Sequence, residues 1–140
     1  MVVLAAEPLP IPHVEPFLFV GNAEAIYPDE GLFTWVLPRN GATFGLRMFP
    51  QLLCVEAMAQ AAAAFHGLSS ARDGGQPESG TLASVDRVRF HGRVHPGDSL
   101  IIKVRVKKRF GALVMLDGEV WVHHRLVAQG ELVVRRGGEP

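Results

Sequence analysis

Apolar positions fall into two rhythms along the chain. From Phe49 to Gly67 they run round every side of a helical wheel, and six of the residues inside the stretch are alanines (57, 59, 61, 62, 63 and 64). An all-round apolar pattern belongs to a buried helix. Pro50 suits a first helical turn and Gly67 a residue just past the last one, with His66 at the negative end of the dipole. The pattern predicts one helix between Pro50 and Gly67, roughly sixteen residues or about 24 Å long. Its one formal charge is Glu56, and a carboxylate in a buried helix demands a partner.

Elsewhere the rhythm has a period of two or consists of short apolar runs. Phe17-Leu18-Phe19-Val20 reads as a strand that continues weakly over 23–28, and Gly31–Leu37 as a second, stopped by Pro38. Residues 39–49 form a loop into the helix. After Gly67, the polar stretch 68–80 reads as a flexible surface loop. Four more strands follow: 82–90, about 100–107 (Leu100, Ile102, Val104 and Val106 alternating with Ile101, Lys103, Arg105 and Lys107), 112–122 and 125–134. His95-Pro96-Gly97-Asp98 makes a turn and Phe110-Gly111 a bend. Two hairpin sites compete near the end. Asp117-Gly118 is the stronger local signal, but a turn at His123-His124 gives strands of matched length, leaving Gly118 as a bulge or a close approach.

Strand, strand, long helix, four antiparallel strands is an α+β order with one helix for a whole sheet. The burial problem is solved by a curved antiparallel sheet wrapped around one long central helix, the hot-dog fold. The outer face and edges then call for a second copy, so a homodimer or a multiple of dimers is expected. The 140 residues fit a single domain, 1–140, with residues 1–10 in a proline-rich extended arm.

Charge narrows the function classes. Acids and bases balance, 14 against 14, and no aromatic residues interleave with the basic ones, which argues against nucleic acid. No apolar run approaches a membrane span, and residues 1–6 have no basic flank of a signal peptide. The single cysteine, Cys54, leaves no disulfide framework. A cytoplasmic protein without metal or cofactor is the expectation. The basic residues concentrate between 87 and 109. Lys107-Lys108-Arg109 is the tightest cluster and a candidate docking surface for an acidic carrier protein or coenzyme A phosphates; solvated strand faces are the plainer reading.

Four segments carry a family resemblance. Ile11-Pro12-His13-Val14-Glu15-Pro16-Phe17-Leu18-Phe19-Val20, Val55-Glu56-Ala57-Met58-Ala59-Gln60-Ala61, Val85–Phe90 with Val94-His95-Pro96-Gly97-Asp98-Ser99-Leu100, and Gln129-Gly130-Glu131-Leu132 resemble, in order, motifs of the 3-hydroxyacyl-[acyl-carrier-protein] dehydratases of the FabZ/FabA type. The resemblance implies elimination of water from a 3-hydroxyacyl thioester in fatty-acid or polyketide-type synthesis. It implies a carbonyl polarised by N–H groups at the central helix N-terminus, and proton transfer shared by a loop histidine and a helix acid. The acid falls on Glu56. The histidine falls near Ala42, and no histidine lies between His13 and His66. The family's glycine after the proline is Gln51.

Glu56 is therefore the candidate catalytic residue, with a buried carboxylate capping loop N–H groups or pairing with Arg47 as the plainer reading. Gln51, Leu52 and Leu53 would present N–H groups to the carbonyl. Gln60 lies one turn beyond Glu56, within reach of it or of substrate. Met48 and Phe49 would line an acyl pocket. His13, His66, His91, His95, His123 and His124 read as structural or surface residues, and no metal-ligand spacing stands out. Three functions follow: a dehydratase acting on acyl carrier protein or coenzyme A thioesters, a non-catalytic thioester-binding partner of a homologue that supplies the histidine, and a thioesterase.

Overall fold

The computed structural model describes residues 20–38, 51–72 and 80–137. In chain order the elements are β1 (Asn22–Ile26), β2 (Glu30–Val36), α1 (Leu53–Arg72), β3 (Gly80–Phe90), β4 (Ser99–Phe110), β5 (Leu113–Val122) and β6 (Arg125–Arg136). The strands form one six-stranded antiparallel sheet ordered β1-β2-β4-β5-β6-β3. α1 contacts every strand. The sheet curves around it, the hot-dog architecture expected from the element order.

Alternation decides which face of the sheet meets the helix. In β5, Val114, Leu116, Gly118, Val120 and Val122 are buried and the residues between them half-exposed. In β4, Leu100, Ile102 and Val104 are fully buried. On α1, Ala57, Met58, Ala61, Ala62 and Phe65 meet these strands in one cluster. Each large aliphatic or aromatic side chain so buried stabilises the fold by roughly 1.5–3 kcal/mol before ordering entropy is subtracted. The outer face carries charge instead: Lys103 pairs with Glu30 at 3.1 Å, and Lys107 with Glu131 at 2.7 Å.

Several boundaries differ from the sequence expectation. α1 does not stop at Gly67 but runs on to Arg72. Gly67 is buried, and packing offsets the roughly 1 kcal/mol that a helical glycine costs. Ser70 Oγ then donates to the His66 carbonyl at 2.9 Å, so His66 sits within the helix and does not cap it. The expected 68–80 loop loses its first five residues to the helix; 73–79 lie outside the described residues. β1 occupies Asn22–Ile26, where only weak strand character is legible, while Val20 is buried outside any strand. The rest of the 17–20 run lies outside the described residues, as do the 1–10 arm, Arg47 and the 39–49 loop.

The competing hairpin signals resolve at His123-His124. Val122 pairs with Arg125, and both histidines have positive φ, 49° and 62°. Each such non-glycine residue costs about 1 kcal/mol. The alternative would remove Gly118 from the middle of β5, where it pairs with Gly130 of β6. A Cβ on Gly118 would lie 2.9 Å from Met58 Sδ and 2.8 Å from Leu132 Cδ1. Gly118 thus marks a close approach of sheet to helix.

At the sheet's edge, β3 is the element least covered: Leu82 and Phe90 are 40% and 38% exposed. Among the described residues no helix is long and apolar enough to cross a membrane.

Gly118→Val should lower the unfolding free energy by about 1–3 kcal/mol through overpacking. Met58→Ala should relieve part of it, so the double variant is less destabilised than the sum of the two singles in denaturant titrations. Strict additivity would refute the Met58–Gly118 contact.

Candidate functional site

The start of α1 and the turn just before it hold Gln51, Glu56 and Gln60. The chain enters the helix through a tight turn: Cys54 N donates to Gln51 O at 2.9 Å and Val55 N to Leu52 O at 3.1 Å. The N–H groups of 51–53 therefore sit at the helix end, without carbonyls of the helix to bond, where the dipole is positive. Glu56 lies in the first turn, half-buried. Gln60, 1% exposed, donates from Nε2 to Glu56 Oε1 at 3.2 Å. The i to i+4 spacing places both on one helix face. The buried Gln60 amide thus holds one carboxylate oxygen of Glu56 in place.

The other substrate-binding candidates divide. Gln51 turns its amide to the Gly92 carbonyl, with Nε2 2.9 Å from that oxygen. Leu52 is 71% exposed at the helix entrance. Leu53 packs half-buried against the core. Met48 and Phe49 lie outside the described residues. Cys54, close to Glu56 in sequence, is no competing nucleophile: burial pushes its thiol up to about 11, so it stays protonated at neutral pH.

The proposed carrier-docking cluster is largely engaged within the chain. Lys107 Nζ donates to Glu131 Oε2 at 2.7 Å and lies 3.8 Å from Asp117. Arg109 donates to Asp29 Oδ1 at 2.7 Å and to the Pro28 carbonyl at 3.1 Å. Lys108 stands over the Phe110 ring at 5.0 Å. The hydrogen bond from Lys107 holds the Glu131 carboxyl below its ordinary range, and the same bond, then the charges of Asp117 and Glu131, raise Lys107.

Two features escaped sequence reasoning. A cleft of about 330 Å³ opens on the outer sheet face between Arg87 and Arg89 of β3 and Asp117, Glu119, Gln129 and Glu131 of β5 and β6. It faces away from α1, and Lys107 and Arg87 approach its acids. Its signal was present as alternation at 117/119 and 129/131, but only strand pairing brings these rows together. The second is Asp98, flanked by His95 Nδ1 and His123 Nε2 at 3.8 Å each. Its Oδ2 also accepts from His95 N at 2.7 Å, closing the turn. Among the described residues no group of three or more His, Cys, Asp or Glu is arranged to hold a metal ion.

Comparison with known proteins adds four findings. The family model described as "FabA-like domain" matches residues 43–131, a span that contains Glu56 and Gln60. The 3-hydroxyacyl-[acyl-carrier-protein] dehydratase FabZ of Syntrophobacter fumaroxidans is 33% identical over 134 residues, covering 91% of this chain and 88% of its own. Among solved structures, the dehydratase heterocomplex ApeI:P from Xenorhabdus doucetiae superposes with a TM-score of 0.79 at 17% identity, covering 92% of this chain and 89% of that one. A hypothetical thioesterase with coenzyme A from Streptococcus pneumoniae gives 0.68 at 11% identity, covering 84% and 89%. The last two likenesses establish the fold alone.

The Lys107–Glu131 pair sets a pH dependence. Glu131 is depressed, so its contribution to stability is present above its ordinary value of 4.5 and lost as pH falls through the folded one. Lys107 is raised above 10.5, so its contribution is present below that value and lost as pH climbs through the folded one. The melting temperature of Lys107→Met should fall below that of the parent at pH 7 and converge with it toward pH 3. A gap independent of pH would refute the pair.

Proposed function

The chain belongs to the FabA-like family, as a FabZ-like member with the hot-dog fold, and from that premise we propose that it acts on 3-hydroxyacyl thioesters of acyl carrier protein. The reaction is elimination of water to a trans-2-enoyl thioester: the C2 proton leaves, the C2=C3 bond forms, and the C3 hydroxyl departs with a proton. Glu56, held by the buried Gln60 amide in the first turn of α1, is the observation that carries this reading.

The geometry supports a division of roles. N–H groups of residues 51–53 polarise the thioester carbonyl, whose oxygen gains negative charge as the proton at C2 leaves. The positive end of the helix dipole favours that charge. Glu56 exchanges the proton, and Gln60 keeps the carboxylate from turning into the core. Leu52 and Leu53 flank the thioester; the acyl-pocket role of Met48 and Phe49 rests on the sequence alone. Of the basic cluster, Lys108 is the cation best placed for carrier docking, because acids of this chain already hold Lys107 and Arg109. A homodimer or a multiple of dimers would cover the β3 edge. A cytoplasmic location accords with a carrier-bound substrate.

A second reading rests on a specific observation: between His13 and His66 the chain contains no histidine. A partner subunit would then supply the missing base, with this chain contributing the fold, the helix N-terminus and Glu56. The solved structure of similar fold from Xenorhabdus doucetiae is likewise a dehydratase heterocomplex. Thioester hydrolysis, as the thioesterase likeness suggests, fits less well, because the family match and the curated relative both point to dehydration.

Purified protein incubated with a 3-hydroxyacyl carrier thioester should form the enoyl product without releasing thiol. Glu56→Gln should lower kcat by about 10²–10⁴ with the melting temperature little changed. Thiol release would establish the thioesterase. Tight thioester binding without either product would establish the partner subunit.

A further inference from the structure

Gln51 stands where the family pattern has glycine, and its side chain does something a glycine cannot do. Its Nε2 donates to the Gly92 carbonyl at 2.9 Å, joining positions 41 residues apart. We propose that Gln51 is a positioning residue, whose amide latches the opening turn of α1 to the segment leaving β3 and so sets where the first N–H groups of the helix point. The consequence for turnover rests on the dehydratase reading; the latch itself does not.

The two ends of the latch lie on separate elements, each held by its own backbone bonds. Gly92 is anchored. The preceding residue donates from His91 N to Val127 O at 2.8 Å, and Val94 two residues on is buried. A Cβ at position 92 would stand 3.3 Å from Val127 Cγ1, so the backbone there packs closely on β6. At the helix end Leu52 is 71% exposed, while Leu53 packs half-buried against the core and Cys54 is buried. Cys54 N and Val55 N bond to the carbonyls of Gln51 and Leu52, so displacing residue 51 displaces the acceptors that shape the first turn. The Gln51 amide is thus a tie between the helix start and the segment leaving β3. The N–H groups of 51–53 stand on that tie, and Glu56 follows one turn later. A donor dipole moved by about 1 Å costs as much as 10²-fold in rate.

The test compares Gln51→Leu, which keeps bulk and removes the donor, with Gln51→Lys, which restores a donor. Amide hydrogen exchange at Cys54 and Val55 should quicken about tenfold in the leucine variant, the value of one lost hydrogen bond. Its kcat should fall about 10- to 100-fold with KM little changed, while the lysine variant recovers most of both. Exchange unchanged in Gln51→Leu would overturn the latch. A collapse of melting temperature with kcat and KM falling together would overturn the positioning role and leave Gln51 a stability residue. If the parent protein turns over no thioester, the dehydratase reading fails, and the exchange rates still decide whether the latch exists.

Discussion

A helix can act as the core of a whole sheet only if the two come close enough to exclude water along its length. Here that closeness is made by small residues on both sides. Ala57, Ala61, Ala62 and Ala64 are fully buried on the helix, and Gly118 and Gly130 face each other across β5 and β6. Met58 fills the shallow slot these glycines leave, with its sulfur 2.9 Å from where a Gly118 side chain would begin. Alanine costs nothing in helix propensity, so the sequence that best forms the helix is also the one that lets the sheet close on it.

That packing positions the chemistry. Because α1 lies across the strands, its N-terminus sits at one end of the core, beside the segment that leaves β3. N–H groups without an intrahelical partner gather there by the geometry of any helix end. The chain adds one carboxylate at Glu56 and one buried amide at Gln60 to orient it. The resemblance to FabZ-type dehydratases explains why such an end suits a developing enolate. Under the proposed dehydration, the absence of a histidine between His13 and His66 leaves Glu56 without the family's second proton-transfer group.

The outer face of the sheet follows a separate logic. Alternation sends every second residue of β4, β5 and β6 outward, and antiparallel pairing places cations of β4 beside acids of β5 and β6. Lys107 reaches Glu131, 24 residues away in sequence, and Arg109 reaches Asp29, 80 away. A basic run that looks free in the sequence is therefore substantially neutralised by its own fold. β3 has a strand neighbour on one side only, and its exposed Leu82 and Phe90 leave that edge as the place where a second chain would add most.

Local spacing determined a good deal. Period-two alternation in β4, the all-round apolar helix and the i to i+4 relation of Glu56 and Gln60 are short-range, and each is set by backbone geometry within a few residues. The His123-His124 turn was legible only from matched strand lengths, against the stronger local signal at Asp117-Gly118. What the sequence left undecided depended on partners far along the chain. The helix passes Gly67 because burial outweighs a local stop signal. β1 takes a weak segment because β2 offers it an edge. Gln51 finds Gly92, and Lys107 finds Glu131, only when strands distant in sequence become neighbours. Propensity and pattern are properties of a window of residues; burial and pairing exist only once the sheet has closed around the helix.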